Sequence, residues 1–382
     1  MYFLFIVIIN SISSLSTKHQ LIKIESKREK LIKSGEWSDY FKKRQHSSFN
    51  RTLDNYYDVE YTMNISIGSP LQYFTVLPDV TTSQFWVPDI NCGTNFGGPC
   101  YNKNKFDSSK STTYNSTGKS FFYLCCGITG VVGNELISII GDNSSFLIPE
   151  VTFGQAKSIP PYFSGVNYDG IFGLGFSTSD SSGIISPILA AYNRKYLDKP
   201  VFTIYLKENN YFDFQNYNGG TITFGNFDYK NCDQNISYTS LSSSSKWEFP
   251  LPGISVGGES IKFYKYWTAT SDIVSPFIWG PPGVVQVIAQ KLGLYAFDAN
   301  VGFYVKCNAQ LPDLNFLIGS ALYSVPSKNM IKQYGPNQCA YSLLGFGNYY
   351  GNQWILGHPF IKSYCHIYDM EKKAIGFASP KY

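Results

Sequence analysis

Asp79-Val-Thr-Thr-Ser-Gln-Phe-Trp86-Val-Pro88 and Asp272-Ile-Val-Ser-Pro-Phe-Ile-Trp279-Gly-Pro281 each place a Trp seven residues and a Pro nine residues after an Asp. The two aspartates lie 193 residues apart, about the length of one domain. Each is followed, 94 and 85 residues on, by the glycine of a two-hydrophobics-then-Gly element, Ile171-Phe172-Gly173 and Ile355-Leu356-Gly357. Such a repeat describes a duplicated lobe that contributes one carboxylate per copy. Two carboxylates brought to one place can divide acid and base roles, because like charges at short range do not both ionise cheaply.

The 382 residues are 43% hydrophobic and only 15% charged, with abundant Gly, Ser, Thr, Asn, Tyr and Phe. This composition excludes a disordered chain and reads as many short strands joined by polar turns. Tyr61-Thr-Met-Asn-Ile-Ser-Ile-Gly alternates apolar with polar before a turn at Gly68-Ser-Pro70. Tyr73 to Asp79 is a second strand that delivers Asp79 to its end, and Phe121 to Gly133 is a hairpin with its tip at Cys125 to Gly127. Two short helices are expected, one opening at Ser186-Pro187 and one running from Pro281-Pro282 to a stop at Gly293. The polar stretch near Gln215–Gly220 is the expected boundary between the lobes.

An apolar run, Tyr2 to Ile9, leads into small and polar residues up to Ser16, as in a signal peptide, and is far short of the roughly 20 residues that span a bilayer. No later segment is long enough to span. Residues 17–51 then carry ten Lys/Arg and four Asp/Glu, whereas 52–382 carry 21 and 23. The basic character therefore belongs to a detachable head. A basic patch can mark nucleic-acid or membrane binding; behind a signal peptide, a pro-segment lying on a carboxylate-lined cleft is the better reading. Its apolar residues, from Leu21-Ile-Lys-Ile to Tyr40-Phe41, have helix-like spacing. Asn-X-Ser/Thr acceptors at Asn50, Asn64, Asn115, Asn143 and Asn235 and an even count of eight cysteines suit an oxidising secretory compartment, extracellular or lysosome-like. The expected organisation is signal peptide 1–16, pro-segment 17–52, N-terminal lobe 53–218 and C-terminal lobe 219–382.

The chain resembles the pepsin-like aspartic proteases. The resemblance rests on Glu60-Tyr-Thr-Met-Asn-Ile-Ser-Ile-Gly-Ser-Pro, on Asp79 with Trp86-Val-Pro and Asp272 with Gly280-Pro281 at the places of the two Asp-Thr-Gly motifs, and on Tyr123 at the place of the flap tyrosine. It rests also on Asp169-Gly-Ile-Phe-Gly-Leu-Gly and Trp354-Ile-Leu-Gly, and it covers nearly the whole chain from about Leu21. It implies a mostly β, bilobal fold with a deep cleft, and peptide hydrolysis at acid pH by an Asp79/Asp272 dyad that activates water, without cofactor or metal. The implied partners are a polypeptide substrate and the chain's own pro-segment, in a monomer that binds no nucleic acid. The resemblance further implies disulfides Cys92–Cys100 and Cys307–Cys339, leaving Cys232 and Cys365 as a third pair and Cys125-Cys126 as either a vicinal disulfide or two thiols.

Both triplets depart from the family, reading Asp79-Val80-Thr81 and Asp272-Ile273-Val274. Val80 and Ile273 lack the hydroxyls that in the family cross-link the two loops, which is expected to leave buried backbone groups without partners. Thr81 and Val274 add side chains where the family has glycine, and about 1 Å of misplacement can cost roughly 100-fold in rate. Pro78 removes a backbone donor, Thr270-Ser271 puts polar residues in the second strand, and His358 replaces the family's Asp. Thr82 and Ser275 keep hydroxyls expected to reach the outer oxygens of Asp79 and Asp272. Two functions follow: an aspartic endopeptidase, whether of full or of weak and conditional activity, or a catalytically inactive pseudoprotease whose cleft binds peptides. A glycosidase, which also uses two carboxylates, fits the head and the hairpin poorly.

Overall fold

The computed structural model describes residues 17–25, 30, 34–36, 59–93, 98–123, 127–141, 145–176, 182–207, 218–262, 266–299, 301–335, 337–346 and 351–381. Alternation of apolar and polar residues dominates, so strands dominate. Thirteen of them form one sheet, in the order Ser237–Ser240, Ala374–Ala378, Cys365–Asp369, Val201–Leu206, Asn218–Phe224, Thr17–Glu25, Val59–Ile67, Gln72–Asp79, Gly170–Gly173, Trp86–Pro88, Ser145–Ser158, Ile128–Ile140 and Asn115–Tyr123. Among the described residues the later part of the chain adds one five-stranded and two four-stranded sheets.

The sequence repeat is also a repeat of topology. Gln72–Asp79 runs parallel to Gly170–Gly173, in register Asp79↔Gly173, and Trp86 pairs with Ile171 on the opposite edge of that strand. In the second copy Trp267–Ser271 runs parallel to Gln353–Leu356, in register Ser271↔Leu356, and Trp279 pairs with Ile355 on the opposite edge. The hydrophobic-Gly strand is thus inserted between the Asp strand and the Trp strand both times. Such a strand, parallel to one neighbour and antiparallel to the other, is made by threading a distant segment into the gap, which is why the glycines lie so far along the chain.

Close packing explains why these positions are glycine. A Cβ on Gly173 would lie 2.4 Å from the Ser83 carbonyl carbon, and one on Gly357 would lie 2.2 Å from the Ser275 carbonyl oxygen. The core around them is aromatic. Phe202 stacks on Tyr368 at 4.5 Å between ring centroids, and Trp247 meets Tyr368 edge-on at 5.0 Å and Phe176 at 4.4 Å. The Trp247 indole N–H donates to the Leu174 carbonyl (3.2 Å), and the Leu174 amide donates to the Asp79 carbonyl (2.7 Å), so a residue of the second half braces the first aspartate loop.

The helix Pro187–Asn193 starts after Ser186 as expected, but the Ser186 hydroxyl donates to the Gly173 carbonyl (3.1 Å) and makes no cap bond. The helix Pro282–Lys291 is followed by Gly293 at φ +69°, the left-handed stop read from the sequence. Disulfides join Cys92 to Cys100, Cys307 to Cys339 and Cys232 to Cys365. Cys125 and Cys126 lie outside the described residues.

The helix-like reading of Leu21–Ile24 is corrected. Thr17–Glu25 is a strand inside the large sheet, paired antiparallel with Asn218–Phe224 on one side and Val59–Ile67 on the other. His19 and Leu21, two residues apart, face the core, and Lys18 forms an ion pair (2.8 Å) with the buried Asp228. A lane between two strands supplies backbone partners along a nine-residue segment, whereas a short isolated helix has few tertiary contacts to stabilise it.

Candidate active site

Asp79 is the last residue of its strand and is buried; Asp272 follows its strand directly and is partly buried. Each carboxylate is held by amides of its own loop. Asp79 Oδ1 accepts from the Thr81 amide (2.7 Å) and from the Thr81 hydroxyl (2.6 Å). Asp272 Oδ1 accepts from the Val274 amide (2.8 Å), and the Ser275 amide also favours its anion. Thr81, at a position where a bulky side chain was expected to disturb the carboxylate, points its hydroxyl into it and adds a donor.

Burial raises both carboxyl groups above the ordinary value. For Asp79 the two Thr81 bonds oppose that rise. Asp272 is pushed up to about 7, by burial first and by the neighbouring Asp79 charge second, against the Val274 and Ser275 amides. The two aspartates therefore meet, and the Asp79 charge opposes ionisation of Asp272. Asp272 favours its protonated form in the folded chain, so that contribution to stability is complete below the ordinary carboxyl value of 3.8 and is lost as pH rises through about 7. Asp272→Asn is expected to raise Tm at pH 8 by about 3 °C or more and to leave Tm at pH 4 nearly unchanged, read by scanning calorimetry; equal shifts at both pH values would contradict this.

Tyr123 ends its strand beside the same pair. Its phenol is raised by burial and then by the Asp79 charge, the Thr82 side chain bonds it, and its ring lies 6.5 Å from that of Trp86. Asp79, Asp272, Tyr123 and Thr82 thus come together. Ser275 sits on the Asp272 loop but its hydroxyl faces away: it donates to the Phe277 carbonyl (3.0 Å) and accepts from the Trp279 indole (3.0 Å). Thr82 Oγ1 accepts from the Gln84 amide (3.1 Å). Among the described bonds neither hydroxyl reaches a carboxylate of the pair, so the expected outer-oxygen bonds are not made. A hydroxyl two or three residues from an Asp closes local turn bonds more readily than it reaches across the loop.

The odd residues of the second copy are satisfied by partners far along the chain. The Ser271 hydroxyl is buried between His366 Nδ1 (2.6 Å) and the Tyr368 hydroxyl (2.7 Å). Burial pushes His366 down to about 3, so it stays neutral at mildly acid pH. His358 Nε2 lies 2.6 Å from the Ile273 carbonyl, which can only accept, so this nitrogen carries a proton. The carbonyl of Ile273, one of the residues whose lost hydroxyl was expected to strand backbone groups, therefore has a partner. His358 was visible in the sequence as a departure, but nothing there indicated what it would bond.

Residues 60–380 match the family model described as eukaryotic aspartyl protease. The chain belongs to the eukaryotic aspartyl protease family. Its relatives include Aspartic protease 6 of Caenorhabditis elegans, 32% identical over 98% of each chain. Pepsin A of Callithrix jacchus is 28% identical over 99% of each chain, and renin of Rattus norvegicus is 28% identical over 90% of this chain and 86% of its own. By homology this is a pepsin-family aspartic protease, and peptides are the substrate class that membership implies. The three described disulfides suit the secretory pathway. Among the described residues no helix is long and apolar enough to cross a membrane.

Proposed function

We propose that the chain is an acid-acting aspartic endopeptidase in which Asp79 is the general base and Asp272 the general acid. The observation that carries this reading is the asymmetry of the pair: Asp79 receives a hydroxyl and an amide from Thr81, while Asp272 is held protonated up to about 7 in part by Asp79 itself. In the working state Asp79 takes a proton from a water whose oxygen attacks the scissile carbonyl carbon, and Asp272 gives its proton to the carbonyl oxygen. Collapse of the resulting diol, with proton transfer to the departing nitrogen, yields an acid and an amine. Tyr123 would cover the bound peptide, a role supported by its position at the end of its strand and beside Asp79.

Further parts of the reading follow from sequence and packing. Residues 1–16 are a signal peptide and 17–52 a pro-segment. The burial of His19 and Leu21 and the Lys18–Asp228 pair support a first strand of that segment seated in the fold before removal. Lobes 53–218 and 219–382 flank the cleft of a monomer acting in an extracellular or lysosome-like acidic compartment. Asn64, Asn115 and Asn235 are exposed and accessible to glycosylation, whereas Asn50 and Asn143 lie outside the described residues. A second reading, a peptide-binding cleft without turnover, is favoured by the Ser275 hydroxyl, which is committed to Phe277 and Trp279 and leaves Asp272 without it.

The deciding assay incubates the full-length protein at pH 3 to 5 with denatured globin, with and without a statine peptide. Cleavage blocked by the statine supports the endopeptidase. Statine binding without cleavage supports the silent cleft, and neither binding nor cleavage would overturn both.

A further inference from the structure

The Ile273 carbonyl and the Val274 amide belong to one peptide unit. On one side its oxygen accepts from His358 Nε2 (2.6 Å); on the other its N–H donates to Asp272 Oδ1 (2.8 Å). The His358 backbone amide also donates to the Ser275 carbonyl (2.8 Å), so one residue holds the loop both before and after Val274. Its ring is fixed in turn: His358 is 3% exposed, and the Tyr61 ring of the strand Val59–Ile67 meets it edge-on at 4.9 Å. Tyr61 comes from the first half of the chain and His358 from the second, so the aspartate loop of the second copy is clamped against a strand of the first.

We propose that His358 is a positioning residue for Asp272, orienting and polarising the single peptide unit whose N–H binds the carboxylate. A donor on a peptide oxygen strengthens the hydrogen bond made by the same unit's N–H, because the two dipoles reinforce each other in a poorly screened interior. The plane of the unit is set at the same time, because a carbonyl held 2.6 Å from a rigid, packed ring cannot rotate without leaving a buried acceptor unpaired. Charged and titratable groups surround the relay. Asp272 faces Asp79 and, on the strand Cys365–Asp369, Tyr368; His358 faces Lys362, Lys332 and, on the strand Thr17–Glu25, Lys23. Burial and these lysines hold the imidazole neutral, so the relay persists at acid pH with His358 as the neutral donor.

The Val274 amide favours the Asp272 anion. Losing the His358 donor weakens that amide's bond, and the carboxyl then titrates at higher pH. This rests on the reading of Asp272 as the acid of the pair, but it can be tested without turnover. His358→Phe keeps the ring against Tyr61 and removes the donor, while His358→Gln retains an N–H of similar reach. The full-length protein, each variant, and each in combination with Asp272→Asn are followed by thermal unfolding between pH 4 and 8. In His358→Phe the pH at which stability falls is expected to move up by roughly 0.5 to 1 unit. His358→Gln is expected to restore it, and the displacement should vanish with Asp272→Asn. Should His358→Phe fail to fold, His358→Asn, too short to reach Ile273, replaces it in the same comparison. Where globin is cleaved, the alkaline limb of kcat/KM should move with the thermal profile. A uniform drop in Tm at every pH, both with and without the Asp272→Asn substitution, would reduce His358 to packing and overturn the proposal. Absence of cleavage alongside a displaced profile would count against the endopeptidase only.

Discussion

Asp79→Asn protein, incubated with denatured globin at pH 4, should cleave at least roughly 10³-fold more slowly than the unaltered chain, with little change in folding. The substitution keeps the shape of the side chain. An amide oxygen still accepts from the Thr81 amide and hydroxyl, which lie 2.7 and 2.6 Å from Asp79 Oδ1, so the loop should hold its form. What is lost is the base, together with the negative charge that helps push Asp272 up to about 7. Removing that charge should lower the pH at which Asp272 ionises, and thermal unfolding should show the neutral-pH penalty shrinking as activity disappears. In the unaltered chain cleavage should fall as pH rises through about 7, where the pair loses its last proton. Equal cleavage by Asp79→Asn and by the unaltered chain would assign the activity to something other than this pair.

Gly357→Ala should be among the most damaging single methyls in the second half of the chain. The obstacle is the close packing around it. A Cβ would lie 2.2 Å from the Ser275 carbonyl oxygen and 2.4 Å from that of Phe277, both backbone atoms that cannot swing aside. Ser275 also receives the His358 amide and lies three residues from Asp272, so any relief must displace the aspartate loop. The expected result is a loss of about 3 kcal/mol or more in stability, and about 100-fold or more in kcat for each ångström of displacement. Gly283→Ala is the control: it lies in the helix Pro282–Lys291 with open space around it, and alanine there should be neutral or stabilising by up to about 1 kcal/mol. Matching effects from the two substitutions, by calorimetry, would show that the close approach at Gly357 does not matter.

The strands of each copy were legible because their signals are local. Alternation marks Val59–Ile67, the Pro-Pro and Gly signals bracket Pro282–Lys291, and the spacing from Asp to Trp to Pro repeats where the topology repeats. The strand Thr17–Glu25 was misread because its register is decided by Asn218–Phe224, some two hundred residues on, and nine residues with mixed spacing do not reveal a vacant lane in a distant sheet. The hydroxyls of Thr82 and Ser275 were assigned to the carboxylates because they are close in sequence, but the Thr82 side chain bonds Tyr123 and the Ser275 hydroxyl donates to the Phe277 carbonyl.

The sequence by itself determined that the Asp, Trp and Pro pattern would be built twice, with one aspartate in each copy and the first of them at the end of a strand. Covalent order and the period of the side chains are enough for that. Only the tertiary structure decided how the altered second loop is held in place: Ser271 finds His366 and Tyr368, and His358 reaches Ile273 across 85 positions of chain. A hydrogen bond between distant residues leaves no period and no motif in the sequence. It depends on where two strands bring a donor and an acceptor to within about 3 Å, and that distance exists only once the chain has folded.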